Sequence, residues 1–529
     1  MQNSLKKLVD EHEIISFDIF DTLLLRPYVS PADLFLHIEN HYKISGFAKN
    51  RIFAENTARG KISQGTEDVT LDEIYSNLTE EFQKFKDIEC EWEIKLLFQN
   101  PEIYEIYNYA LQKGKKVIFV SDMYLPFEVI EKALHKNNYG RYHSLYLSSQ
   151  VKKMKVTRNL YNFVIEDLNV NPEKVLHIGD NFFSDFKQAN SCGIKGFYYP
   201  SFKKRFFEKD TRMEKLYNSI SDVSIKIDIS ILIMMSAVYQ VKNPQNDFWA
   251  NAGYKYAGSM VYSFAKWIET EALKSGIKNI GFVARDGYFL DKVLKILNPE
   301  INSQYIYASR NVSEALSRNE NSIKLYLKDL ETKGLLGNKE TAFSDVRTNS
   351  FTSQKFLSRY SPNSFWFYWM IGLNRNQPNY KAFYDYDFEF DKDFIISEVV
   401  EFFMSAPELP LVSLKENNNE LQLVYMVNPS EHEIYRIKVL QKMEPEVLNF
   451  AKDIKSVFGE IPILQNPHSI ILWNNLWLLT PTAEENEEFG KIHHSSSKNH
   501  DKYIPIYELK NQKLYKGYVE ALKHFAKKV

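Results

Sequence analysis

Four short apolar runs, rich in β-branched and aromatic residues, punctuate the first 200 residues, and each ends on a polar side chain: IISFDIFD from Ile14, KVIFVSD from Lys116, SLYLSS from Ser144 and KVLHIGD from Lys174. Runs of this length and character predict buried strands, and a polar residue at the C-terminal end is where parallel α/β sheets carry their active groups. Stretches of helical periodicity lie between them, such as PEIYEIYNYALQKG, closed by Gly114, and TRNLYNFVIEDLNV, stopped before Asn171 and Pro172. The alternation predicts βαβ units in a parallel, Rossmann-like sheet over residues 1–200. The first two runs are separated by far more chain than a crossover helix needs, and that interval, residues 28–100, is itself helical in pattern, so an inserted helical cap is expected.

Beyond residue 200 the pattern changes. A charged stretch, SFKKRFFEKDTRMEKLY, is expected to be a linker, and the apolar ISILIMMSAV from Ile229 a buried helix, so residues 201–250 are read as linker and apolar helix. Residues 251–529 are expected to form a second α/β domain: a helix (YAGSMVYSFAKWIETEALKSG), a strand (NIGFVA), a turn (RDG), a helix (YFLDKVLKIL) and a strand (QYIYAS) follow one another. After Phe343 the periodicity is mixed, with a hairpin expected in LPLVSLKENNNELQLVYMV.

Composition narrows the class. With 44% hydrophobic and 25% charged residues, the chain of 529 residues reads as an ordinary globular protein of more than one domain. A net charge of -2 supplies no broad basic field, so nucleic acid is not an expected partner. The 33 Tyr and 37 Phe read mainly as core and interface packing, with carbohydrate stacking as the alternative. Cys90 and Cys192 form no CxxC pair, the N-terminus lacks signal-peptide character, and the longest apolar stretch falls short of the roughly 20 residues of a membrane span. A cytoplasmic protein without a membrane span is expected. There is no Walker loop, GxGxxG or GxSxG element, which removes support for nucleotide-dependent phosphotransfer and serine hydrolysis.

The candidate chemistry lies at the strand ends. Asp18 closes the first run and is followed by Asp21, Thr22 and Leu23; Ser121 closes the second; Lys155 precedes a helix in KVTRNLYNF; Gly179 and Asp180 close the last, with Asp185 five positions on. One Asp after an apolar strand is ordinarily a helix cap. All four elements, in this order, resemble the motifs of the haloacid dehalogenase superfamily, over residues 10–200. Its members attack phosphate esters, or less often carbon–halogen or carbon–phosphorus bonds, with an Asp carboxylate. The resemblance implies Asp18 as nucleophile. A carboxylate approaches a dianionic phosphate only where positive charge screens it, so a metal and a cation are needed. Asp18, Asp180 and Asp185 are hard oxygen ligands suited to Mg2+, and the resemblance adds the Phe20 backbone carbonyl. Lys155 would neutralise Asp18 and bind the transferring group, with Ser121 holding its oxygens and Thr22 contacting the substrate.

One departure matters. Phosphatases of this superfamily usually carry a second Asp two residues after the nucleophile, as acid and base; that position is Phe20 here, which is similar to the dehalogenase branch. Asp21 and Asp122 are nearby carboxylates, Asp21 being expected to point away unless a turn after the strand brings it round. In the cap, Arg51, Glu55 and Arg59 fall on one helical stripe, either as an ion-paired surface or with an arginine reaching an anionic substrate. SDMYLP and TLDEIY, and later GFVARDGYFL and YIYASRN, resemble a bacterial branch of large superfamily members often found with genes for surface polysaccharide synthesis.

In the second domain, Arg285 and Asp286 lie in a strand-to-helix turn, and Ser309 and Arg310 at the next strand end are candidates for the same crevice. The alternative is a capping Asp286 with surface arginines. His493, His494 and His500 lack metal-ligand spacing and read as a solvated loop. The expectation is a Mg2+-dependent hydrolase acting on a small phosphorylated substrate, such as a sugar or polyol phosphate, through an aspartyl intermediate. The alternatives are a catalytically altered binding module serving a C-terminal transferase or assembly domain in surface-glycan synthesis, or dehalogenase-type chemistry.

Overall fold

The computed structural model describes residues 2–336, 340–348, 350–371, 377–384, 394–495 and 502–506. The chain divides into two compact units, Met1–Pro244 and Gln245–Val529.

The first unit is built on a five-stranded parallel sheet. Its strands are β1 (Ile14–Phe17), β4 (Lys116–Ser121), β5 (Ser144–Leu147), β6 (Val175–Gly179) and β7 (Lys195–Tyr198), in the order β5-β4-β1-β6-β7. Two short strands, β2 (Leu24–Leu25) and β3 (Phe98–Gln99), pair antiparallel where the chain leaves the sheet and returns to it. All four residues of β1 are buried, because parallel strands are covered on both faces. Register aligns the strand ends: Phe17 lies opposite Phe119 and Ile178, so the residues that follow in β1 and β6, and the last of β4, emerge together. The chain runs from β1 to β4 on one side and comes back to β6 on the other. β1 therefore stands at the topological switch point, where such sheets open a crevice beyond their C-terminal ends.

The interval between β2 and β3 is helical, with helices from Ala32–Tyr42 to Lys86–Leu96. The stretch after residue 200 is not a linker. It folds as the helices Phe202–Lys209, Thr211–Ser219 and Val223–Lys242, all within the first unit. The last of these is long and apolar enough, by length and composition, to cross a membrane, and 78% of its most apolar window is buried in the protein. Ser230 on this helix accepts the Val29 amide at 2.7 Å and donates to Asp33 at 2.6 Å, contacts that tie it to the cap boundary.

The second unit repeats the architecture with other strands: β8 (Asn279–Val283), β9 (Asn302–Ile306), β10 (Thr341–Thr348), β11 (Phe365–Ile371) and β12 (Tyr380–Tyr384), all parallel, in the order β12-β11-β10-β8-β9. Here too the first strand, β8, has its successor on one side and the next strand on the other. The hairpin expected after Leu409 is formed by β13 (Leu411–Asn417) and β14 (Glu420–Tyr425). Short strands β15 (His493–Ser495) and β16 (Tyr503–Pro505) pair antiparallel, so the histidine-rich stretch starts as a strand; His493 stacks on His432 with ring centroids 3.9 Å apart, and His500 lies outside the described residues.

Candidate active site

Three strand ends of the first unit converge on Asp18. The Asp18 amide completes the ladder by donating to the Ile178 carbonyl at 2.9 Å, which fixes the backbone from which the carboxylate projects. The Lys155 ammonium lies 2.6 Å from Asp18 Oδ1 and 2.7 Å from Asp185 Oδ1, and Ser121 donates to Asp18 Oδ1 at 3.3 Å. Asp18, Asp180 and Asp185 bring ligand oxygens within 4.8 Å of one another. Gly179 makes this possible, since a Cβ there would stand 2.4 Å from the Asp185 carboxyl carbon. Asp185 is presented by a π-helical turn, Phe182–Gln188, a local geometry frequent at functional sites, and its Oδ2 accepts the Asn181 amide at 2.9 Å.

The charges do not balance. Burial raises the Asp18 carboxyl above its ordinary range against the pull of Lys155, and Asp185 adds to the rise. Burial, then repulsion from Asp21, Asp18 and Asp185, pushes Asp180 up to about 9. Burial acts the same way on Asp185, but Lys155 and His177 outweigh it and hold the group well below its usual range. Three carboxyl groups thus share one ammonium and resist ionising together, and a divalent cation among these hard oxygen donors would relieve their repulsion, so the donor set fits Mg2+. The backbone bonds of the loop after β1 use the Ile19 and Leu24 carbonyls and leave that of Phe20 out of the turn's pairing, as an additional oxygen ligand requires.

His177 is a participant that sequence reasoning passed over. It is fully buried in β6, with Nδ1 2.7 Å from Ser16 Oγ and Nε2 3.4 Å from Asp185 Oδ1. Burial lowers its pKa, so the neutral ring accepts a hydrogen bond from the Ser16 hydroxyl at Nδ1 and donates one from Nε2 to Asp185, holding that carboxylate in place. Its signal was a lone imidazole inside the apolar run VLHIG.

Asp21 does not point away. It adopts a left-handed backbone (φ 55°) in a turn closed by its amide on the Leu24 carbonyl at 2.8 Å, and its charge is the foremost repulsion acting on Asp180. Asp122 accepts the Lys155 amide at 2.8 Å and so positions the lysine. The Thr22 hydroxyl is buried with no hydrogen-bond partner among the described residues. Phe20 is overlaid by the Arg26 guanidinium, 4.0 Å from its ring centroid, and Arg26 pairs with Glu93 of the cap helix Lys86–Leu96 at 3.1 Å.

The cap stripe is ion-paired, with Arg51 buried and Glu55 and Arg59 partly exposed. Arg51 has 0% exposure, holds both Glu89 oxygens at 2.8 Å and reaches Glu55 at 3.2 Å. Arg59 bonds Glu55 at 3.1 Å and Asp68 at 2.6 Å; Asp68 also accepts from Ser148, whose hydroxyl takes the Met123 amide at 2.8 Å, one residue past Asp122. The stripe therefore builds the cap and links it to the end of β4. In the second unit, Arg285, Asp286, Ser309 and Arg310 do line one cavity, of 440 Å3.

Residues 13–193 match the family model of haloacid dehalogenase-like hydrolases, so the first unit contains a hydrolase domain of that family. The chain matches no curated protein. Among solved structures it is similar to an enzyme of this family from Bacteroides thetaiotaomicron (16% identity, TM-score 0.28, covering 36% of this chain and 94% of that one). It is also similar to a predicted phosphoglycolate phosphatase from Haemophilus somnus (16% identity, TM-score 0.26, 37% and 92%). A third is an L-2-haloacid dehalogenase from Xanthobacter autotrophicus (14% identity, TM-score 0.26, 35% and 75%).

Proposed function

We propose that the first unit is a Mg2+-dependent phosphatase acting on a small phosphorylated substrate, such as a sugar or polyol phosphate, in the cytoplasm. The observation that carries this reading is the Asp18 carboxylate held between the Lys155 ammonium and the Ser121 hydroxyl beside a three-carboxylate cation site. Asp18, Asp180 and Asp185, with the Phe20 carbonyl, would hold the ion, which supplies positive charge for the phosphoryl oxygens. An Asp18 oxygen attacks phosphorus, the bond to the ester oxygen breaks, and the alcohol leaves. Water then cleaves the aspartyl phosphate, releasing phosphate and restoring the carboxylate. Lys155 binds the transferring oxygens, Ser121 and Thr22 orient them, and Asp122 keeps Lys155 in register through its amide.

Asp21 is the carboxyl assigned to protonate the leaving oxygen, in place of the acid absent at Phe20. A second reading rests on Phe20 and Arg26: with an aromatic ring under a guanidinium at that position, the domain takes esters whose leaving group departs as a stable anion, or retains binding and serves a partner activity in surface-glycan synthesis.

Phosphate release from a panel of sugar, polyol and acyl phosphates, with and without Mg2+, tests these readings. Mg2+-dependent release abolished by Asp18→Asn supports the phosphatase. Loss on alkyl esters with retention on acyl phosphates in Asp21→Asn assigns the acid to Asp21. No release from any compound would sink the phosphatase reading and favour the binding module.

A further inference from the structure

We propose that the second unit carries a small-molecule site of its own, a cavity of 440 Å3 beyond the C-terminal ends of β8 and β9 that takes a small phosphate ester through Arg310 and Arg285. The first argument is position. Parallel sheets bind ligands at the switch point, and the strand flanked on opposite sides by its two successors is β8. The chain leaving it, Ala284, Arg285 and Asp286, lines the cavity, as do Ser309 and Arg310 just past β9. The opposite wall comes from the helices Phe394–Met404 and Glu431–Phe458, through Glu401 and Arg436. The volume lies within the range of about 300–1,000 Å3 that small-molecule pockets occupy.

The second argument is which donors are spent. Arg436 is fully engaged: it holds Glu433 at 2.9 Å and 2.6 Å and the Ala406 and Glu408 carbonyls at 3.0 Å and 2.8 Å, so it braces the wall. Arg285 gives one nitrogen to the same Glu433 at 2.9 Å and keeps other donors toward the cavity. Arg310 is exposed, and its guanidinium has no hydrogen bond or ion pair among the described residues. A single carboxylate, Glu433, thus serves two guanidiniums while a third stands unpaired at the rim. A guanidinium fork matches the tetrahedral face of a phosphoryl group.

The other two carboxyls of the lining, Glu401 and Asp286, are both shifted upward by burial, Asp286 against the pull of Arg285 and Arg436. Burial and repulsion from Asp286 push Glu401 up to about 8, and burial raises Asp286, which accepts the Ser405 hydroxyl at 3.2 Å. These carboxyls, with the Ser309 hydroxyl, which caps no helix amide, suit the hydroxyl groups of the ester. This site is independent of the chemistry at Asp18.

Hydrogen–deuterium exchange of the full chain carrying Asp18→Asn, which removes turnover, tests the proposal with glucose 6-phosphate and glycerol 3-phosphate as probes and glucose as control. Protection of the segments around Arg285, Arg310 and Glu401 by at least one ester and not by glucose is expected. Adding Arg310→Gln should weaken that protection about tenfold or more, because one charge-assisted contact is lost, while Arg318→Gln, an exposed arginine outside the cavity, should not. No protection there by either ester, equal protection by glucose, or protection unchanged in Arg310→Gln would overturn it.

Discussion

The two units solve the same topological problem with opposite charge. In each, the first strand of a parallel sheet stands at the switch point, and the residues just beyond it, Asp18 after β1 and Arg285–Asp286 after β8, enter the crevice. In the first unit three clustered carboxyl groups share one ammonium, which pairs with the buried Asp18 and Asp185. In the second, guanidiniums outnumber the carboxylate that pairs with them. On the proposed readings the first crevice attracts a cation and reaches an anion through it, whereas the second meets an anion directly. Position comes from the sheet; chemistry comes from a few side chains at its edge.

The largest effect that probes this contrast is removal of the sole ammonium. Lys155→Met leaves Asp18, Asp180 and Asp185 without their cation, and breaking a buried pair of this kind costs about 3–5 kcal/mol. In Mg2+-free buffer the first unit should lose about that much stability, read by exchange of β1 and β6 segments, while β8 and β10 stay unchanged. Added Mg2+ should restore most of the stability but not phosphate release, which should remain at least about a thousandfold down. Absence of rescue by Mg2+ would mean that the acidic cluster is not a cation site, and the contrast between the units would fail.

A pair of glycine substitutions gives the next largest effect. In Gly179→Ala the new Cβ meets the Asp185 side chain, its carboxyl at 2.4 Å and its Cβ at 2.6 Å, so the whole ligand and the turn that carries it must shift. In Gly287→Ala it meets the Phe282 backbone carbon at 2.7 Å and the Val283 carbonyl at 2.8 Å, which cannot swing aside. The first change should lower Mg2+ affinity about ten- to a hundredfold, because a ligand is displaced. The second should destabilise its unit by about 1–3 kcal/mol through overpacking. Calorimetric Mg2+ titration and denaturant melts separate the two; the reverse pattern would show that Gly179 supports the fold and not the cation site.

Legibility in sequence followed the same division. The strands of the first unit that bear functional groups were readable because each is a short β-branched run closed by a polar residue, and Asp18, Ser121, Lys155, Asp180 and Asp185 converge as their order suggested. What escaped was set by long-range packing. SFKKRFFEKDTRMEKLY looked like a linker because its apolar stripe is sparse, yet Phe202, Phe206, Met213 and Tyr217 are buried. Arg51 looked like a surface or substrate arginine, and its partner Glu89 lies 38 positions away. For Asp21 sequence left two outcomes, and the left-handed backbone of the turn after β1 selects between them, which no residue pattern announces. In the second unit FWFYWMI is a continuous apolar run, since β11 is covered on both faces, and periodicity alone does not tell such a run from a buried helix. Glu401, Glu433 and Arg436 reach the cavity from helices distant in sequence, and no spacing announces them.

The smallest effect is a pH dependence of opposite origin to that of an ion-paired site. Burial, with repulsion from Asp286, pushes Asp345 on β10 up to about 7, despite the Val346 amide and the Ser353 hydroxyl. Burial raises Glu401 to about 8; Asp286, Glu398 and Asp345 repel it and Arg347 opposes them at 3.9 Å. Both groups keep protons in the native state that the unfolded chain, titrating near 3.8 and 4.5, has already released. Between about pH 4 and pH 8 the unfolded state therefore binds fewer protons than the native, and the stability of the second unit falls as pH rises through that window. Exchange of β8 and β10 segments should become several-fold less protected between about pH 5 and pH 8, after correction for intrinsic rates, and Asp345→Asn should flatten the slope by removing both its own ionisation and its repulsion of Glu401. A flat profile in the native protein would mean that these carboxyls are ionised and compensated at neutral pH, and the cavity would then lose the excess of positive charge that sets it apart from the crevice at Asp18.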